Sequence, residues 1–267
     1  MAITGAIIGD ISGSQYEFDR AEDFKTCPMF SKHCFFTDDT VMTLAIKYAI
    51  DNKLPYVEAM HIVGNRYPGC GYGGRFYRWI VDNDDKPYNS WGNGSAMRVS
   101  YIGEHYDDLD TVVREAEKSA AVTHNHPEGI KGAVVTATCI WMARHGKSKQ
   151  EIHDYVADVY QRDAYKYHID TDMQWLVDNY TWDVSCQGSV PVAMKCFVES
   201  NSYEDFLRRV YSLDCDADTL GAIGGAVAEE YYGTTGFETD KLLKLFLDEY
   251  LYKIYTGSAD VSVKEEK

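Results

Sequence analysis

The chain has 267 residues, 45% of them hydrophobic and 25% charged, which is enough apolar material for a buried core and too much for a disordered polymer. With 42 acidic against 26 basic residues the formal net charge is −16, a balance that repels nucleic-acid phosphates and anionic membranes and argues against both as partners. Seven cysteines, an odd number without zinc-type spacing, and an N-terminus without a basic-then-apolar leader read as reduced thiols in a soluble cytoplasmic protein.

Apolar periodicity predicts a first helix over 39–52, where Met42, Leu44, Ala45, Tyr48 and Ala49 share one stripe. Further helices are predicted over 55–67, 75–81, 109–122, 132–144, 149–160, 191–199, 203–212, 217–232 and 241–255. Ser189 followed by Pro191 reads as a helix start with proline inside the first turn. Gly146, Lys147 and Ser148 read as a break between two helices. The longest apolar stretch, 133–143, is too short to cross a bilayer. The segments 24–36, 68–74, 82–94, 124–129 and 163–187 read as non-helical. No linker or repeat divides the chain. The expectation is one all-α domain over 1–267 with a short charged tail near 257–267, whose end, Lys264 to Lys267, frays.

Two acidic clusters stand out, each opening a strongly helical segment. One is Thr37-Asp38-Asp39-Thr40; the other is Asp214-Cys215-Asp216-Ala217-Asp218-Thr219. Threonine or aspartate at a helix start is ordinary capping, and acids in a first turn complement the helix dipole. Residues two apart do not share a helix face, so they meet at one ion only if the turn entering the helix is part of the site. If the fold joins the two starts, their oxygens make a site for Mg²⁺, Mn²⁺ or Ca²⁺, with room for two ions.

Gly69-Cys70-Gly71-Tyr72-Gly73-Gly74 and Asn93-Gly94-Ser95 are places where backbone can approach a ligand closely and where a helix N-terminus offers N–H groups to an anion. Plain loops are the simpler explanation of either alone. His124-Asn125-His126-Pro127 is a polar turn between apolar helices; without a third soft ligand nearby, hydrogen bonding to a phosphate or ribose suits it better than zinc.

Taken in order, several segments resemble one family. They are Gly9-Asp10 through Glu17, Phe36 through Thr40, Gly71-Tyr72-Gly73-Gly74-Arg75-Phe76, Gly92-Asn93-Gly94-Ser95-Ala96-Met97-Arg98, Thr123-His124, Ser189-Val190-Pro191 and Asp216-Ala217-Asp218-Thr219. The set is similar to the ADP-ribosylhydrolases, the family of the dinitrogenase reductase-activating glycohydrolase, across roughly residues 3 to 233. The resemblance implies a compact orthogonal all-α bundle with two divalent cations, Mg²⁺ or Mn²⁺. By the same resemblance Thr37, Asp38, Asp39, Asp216, Asp218 and Thr219 are the metal ligands. Gly73, Gly74, Ser90, Trp91, Asn93, Gly94 and His124 are implied to bind ADP-ribose, and Glu17 matches an acidic residue on a mobile loop. Asp214-Cys215 departs from the Gly-Gly that usually precedes this second cluster.

The implied reaction is cleavage of the glycosidic bond between ADP-ribose and a protein side chain, arginine first. Asp38 and Asp39 are candidates to take a water proton, and Glu17 is a candidate lid or acid. The alternatives are another ADP-ribose conjugate, serine-linked or a free metabolite, and a catalytically silent ADP-ribose binder.

Overall fold

The computed structural model describes residues 1–160 and 166–259; the expected tail from Lys264 to Lys267 lies outside the described residues. The helices are α1 Ala2–Gly13, α2 Asp38–Asn52, α3 Tyr56–Gly64, α4 Gly74–Val81, α5 Gly94–Met97, α6 Ser100–His105, α7 Leu109–Ala121 and α8 Pro127–Arg144. They continue with α9 Lys149–Val159, α10 Met173–Asn179, α11 Cys186–Glu199, α12 Tyr203–Tyr211, α13 Ala217–Tyr232, α14 Thr239–Phe246 and α15 Glu249–Thr256. Among the described residues there is no strand, only an isolated antiparallel bridge between Gly92 and Ser185. Buried apolar side chains from α1 through α15 join in one cluster.

The centre of the bundle is the pair α1 and α13, and the sequence reading assigned no element to residues 2–13. Gly5, Gly9 and Gly13 recur every fourth residue, which places them on one stripe of α1. They meet Gly225, Gly221 and Ala217 of α13 in antiparallel order. A Cβ at Gly9 would lie 2.1 Å from the carbonyl oxygen of Gly221, and one at Gly5 would lie 2.3 Å from that of Gly225. The two backbones therefore touch. Glycine lowers intrinsic helix propensity, which hides α1 from a local reading; burial along its whole length supplies the stabilisation instead. Tyr203 of α12 tightens the seam by donating from its hydroxyl to Gly5 O at 2.6 Å.

The remaining differences from expectation are local. The helix expected from Ser189 and Pro191 begins at Cys186, with Pro191 inside it. Ser185 caps it, accepting from Gly188 N at 3.1 Å, while the Ser189 hydroxyl donates to Asp183 O. The earlier, better-bonded start prevails, and the missing proline N–H forfeits one interior bond. Helix α8 starts at Pro127, not 132, because proline suits the first helical position behind His126, which accepts from Glu128 N. The single helix expected over 241–255 is two, since Asp248 caps α15 by accepting from Leu251 N at 2.9 Å. Helix α10, capped by Asp172, lies within the stretch read as non-helical.

Candidate functional site

The antiparallel seam brings the end of α1 to the start of α13. The chain leaving α1 makes a single 3₁₀ turn, Ser14–Tyr16, and delivers Glu17 beside Asp216 and Asp218. One carboxylate oxygen from each of these three lies within 4.8 Å of the others. The start of α2 is fixed from α1 by Asp10, which is fully buried. Asp10 accepts from Thr37 N at 3.0 Å, Thr37 Oγ1 at 2.8 Å and Thr40 N at 3.0 Å, and also from the Thr40 hydroxyl. The two acidic clusters then touch directly: Thr219 Oγ1 donates to Asp39 Oδ2 at 3.2 Å.

These aspartates are not spent on capping. Asp216 stands at the N-cap of α13 without a side-chain cap bond, and its Oδ2 accepts instead from Asn93 Nδ2 at 2.8 Å. Asp39 Oδ1 is buried with no hydrogen-bond partner among the described residues. Burial lifts the Asp38 carboxyl to about 8, with Asp10 and Asp216 adding to it. Burial, then Asp216 and Asp10, lifts Glu17 to about 7. Asp39 and Asp218 are raised well above the usual carboxylate range, again by burial first and neighbouring carboxylates second. A group of anions that resists ionisation, with an orphaned oxygen and an all-oxygen donor set, fits hard divalent cations: Thr37, Asp38, Asp39, Asp216, Asp218 and Thr219 are the residues that would hold them.

Asp214 and Cys215, where a glycine pair was expected, adopt no positive φ, so the turn into α13 does not require glycine here. Gly71 does have positive φ, +107°, and a Cβ there would sit 3.1 Å from Asp38 Oδ1.

The acidic cluster forms one end of a cavity of about 420 Å³. Glu17, Asp38, Asp39, Asp216, Asp218 and Thr219 line it, as do Gly73, Gly74, Ser90, Asn93, Gly94 and His124. Gly73 and Gly74, at the start of α4, have open space where a side chain would be. Thr37 is buried behind the wall and is held by Asp10. Two positions differ from a simple ligand-loop role. Asn93 directs its amide to Asp216 and to Ser189 Oγ, at 2.8 and 3.1 Å. Trp91 is 49% exposed and lines an adjoining groove with Arg75 and Asp183, outside the main cavity.

The cavity also includes Tyr88, Trp182 and Val184, which the sequence reading did not single out, and Arg98, which closed the matching segment 92–98 without an assigned role. Arg98 is the one arginine or lysine between Lys86 and Arg114, and it stands at the end of that segment. Trp182 and Val184 lie in the irregular stretch before α11, where no periodicity points to them. Trp182 stacks on Phe18, the neighbour of Glu17, with ring centroids 5.5 Å apart and planes 12° apart.

Among the described residues, a helical bundle lines a cavity with carboxylates from three helix termini, an arrangement suited to a polar ligand. The family described as ADP-ribosylglycohydrolase matches residues 1–255, and the chain belongs to it and is a glycohydrolase. It is 24% identical to human ADP-ribosylhydrolase ARH3 over 86% of this chain and 84% of that protein. It is 29% identical to ADP-ribosylhydrolase ARH1 of Dictyostelium discoideum over 43% of this chain and 36% of that protein. A solved ADP-ribosylglycohydrolase-related protein complex shares the fold, with a TM-score of 0.69 at 21% identity, over 96% of this chain and 94% of that one. No helix among the described residues is long and apolar enough to cross a membrane.

Proposed function

We propose that the protein is a metal-dependent hydrolase that cleaves the glycosidic bond between ADP-ribose and a protein side chain, arginine foremost, as one cytoplasmic domain with two divalent cations, Mg²⁺ or Mn²⁺. The observation that carries this reading is the convergence of Glu17, Asp38, Asp39, Asp216 and Asp218 on a cavity that Gly73, Gly74, Ser90, Gly94 and His124 also line. The cations would supply grip on ribose hydroxyls and acidify a bound water. The chain's own groups do the rest. Asp38 or Asp39 takes the water proton, Asp10 holds Thr37 in place, and Gly73, Gly74, Ser90, Asn93, Gly94 and His124 line the ADP-ribose channel, with Trp91 over its outer groove.

Bond rupture develops oxocarbenium character at the ribose, and a guanidinium leaves without help from an acid. A second reading, an oxygen-linked conjugate such as ADP-ribosyl-serine, is favoured by one feature. Glu17 lines the cavity beside Asp216 and Asp218, placed as an acid for an alkoxide leaving group would be.

Arginine- and serine-linked ADP-ribosyl peptides, incubated with Mg²⁺, Mn²⁺ or EDTA, test both readings. Release of intact ADP-ribose with a divalent cation and none in EDTA is expected. Full turnover in EDTA overturns metal dependence, and binding of ADP-ribose without release from any conjugate supports a silent binder instead. Glu17→Gln separates the acceptors: an acid role predicts a much larger loss of kcat/KM on the serine link than on the arginine link.

A further inference from the structure

Arg98 is 1% exposed, yet among the described residues no carboxylate pairs with it. Its Nη2 donates to Ser119 O and to Thr123 Oγ1, both at 3.0 Å, and its Nε is buried without a partner. Thr123 Oγ1 in turn lies 2.7 Å from His124 Nδ1. The backbone carbonyl of Thr123 accepts from Tyr88 N and Ser90 N at 3.3 and 3.4 Å, so the same residue also ties down the loop entering the cavity. The far side of the imidazole, Nε2, has no protein partner among the described residues. It faces Gly92 and Gly94, whose Cβ positions would fall 3.6 and 3.3 Å from it. Those glycines leave the ring edge open to the cavity.

Arginine is only a donor, and among the described residues Thr123 Oγ1 has just two partners, Arg98 and His124, so the one acceptor open to the hydroxyl proton is His124 Nδ1. Thr123 Oγ1 accepts from Arg98, and its own proton then points along the 2.7 Å contact to His124 Nδ1. Nδ1 becomes the acceptor, so the ring proton belongs on Nε2. Burial and the nearby Arg98 charge also keep the ring neutral.

We infer that Arg98 and Thr123 are positioning residues that set His124 as the neutral, Nε2-protonated tautomer, giving the glycine-lined wall of the cavity one fixed hydrogen-bond donor for an acceptor oxygen of the ligand. The acceptor's identity as part of ADP-ribose rests on the function proposed above; the tautomer does not. A histidine with the opposite tautomer would present a lone pair to the cavity and repel phosphate, hydroxyl-acceptor and carbonyl oxygens alike. A protonated imidazole would bind them too, but only at the expense of a second charge beside Arg98.

The test uses the full chain labelled with ¹⁵N-histidine. Two-bond ¹H–¹⁵N correlation assigns the His124 tautomer, with a His124→Gln variant identifying the signal. The expected result is protonated Nε2 and unprotonated Nδ1 in the wild type. Thr123→Val removes the hydroxyl and keeps the carbonyl that holds the loop. It should give a mixed or reversed tautomer and about a tenfold weaker ADP-ribose Kd by calorimetry. Thr123→Ser, which restores the hydroxyl, should return both. A wild-type His124 with its proton on Nδ1, or a Thr123→Val protein with unchanged tautomer and affinity, overturns the inference. If the valine variant does not fold, the wild-type spectrum decides alone. If ADP-ribose fails to bind the wild type, the function proposed above falls while the tautomer still answers for the relay.

Discussion

At the scale of single residues, the acidic cluster divides into groups that face the cavity and groups that hold them. Asp10 accepts four hydrogen bonds from the start of α2 and has little capacity left for a ligand. Asp39 has a free buried oxygen, and Asp218 faces the cavity while accepting from the backbone N–H of Thr219 at 2.8 Å. Asp39→Asn and Asp218→Asn should therefore each abolish most turnover and weaken Mn²⁺ binding by calorimetry, while circular dichroism remains that of the folded helical protein. Asn93→Ala acts one step back. It removes the 2.8 Å donor to Asp216 Oδ2, so cation affinity should fall by about 10- to 100-fold with the ligands intact. Unchanged affinity in Asn93→Ala would make that hydrogen bond incidental.

At the scale of helices, the α1–α13 seam decides whether the site exists. Gly9→Ala drives a Cβ into the Gly221 carbonyl at 2.1 Å, and the obstacle is backbone that cannot rotate away. The helices must part, at a stability loss of about 1–3 kcal/mol, and turnover should drop with it as Glu17 and Asp10 move from the other aspartates. Gly69→Ala is the control: its Cβ meets nothing within 4 Å, and both stability and activity should be unchanged. Urea titration and kcat/KM on both variants check the contrast.

The same helices show what could be read in advance. The bounds of α13 follow from its apolar pattern and its acidic start, and α2, α7 and α9 are legible within a residue at each end for the same reason. The acidic clusters are legible because acids at two helix starts are a local signal. What joins them is not local. The seam depends on glycines that a propensity argument counts against a helix, and Asp10, Arg98 and Trp182 acquire roles only through neighbours far away in sequence.

At the scale of the whole molecule, a chain with net charge −16 also buries like charges together. A carboxyl whose folded pKa is raised binds more protons folded than unfolded, so it lowers stability as pH rises from its unfolded value through its folded one. Asp38 at about 8 and Glu17 at about 7 place that loss up to pH 8. His124, held neutral when folded, acts oppositely but only below its ordinary value near 6.5. Between pH 6.5 and 8 the carboxylates decide. The EDTA-treated protein should melt several degrees lower at pH 8 than at pH 6.5, and saturating Mg²⁺ or Mn²⁺ should remove most of that slope. A melting temperature that rises with pH in EDTA would contradict the burial of these groups as anions.

The seam also fixes when the site can appear during synthesis. Gly9 and Gly221 are more than two hundred residues apart, and their contact is the geometry that sets Glu17 beside Asp216 and Asp218. A ribosome must have released nearly all of α13 before α1 has a partner, and closing so long a loop is the slow kind of step in folding. Until then α1 waits with its apolar length uncovered, and the aspartates of α2 have no counterpart. A nascent chain thus cannot assemble its acidic cavity early, and the closing of that ring of carboxylates marks the moment at which its first and thirteenth helices have found one another.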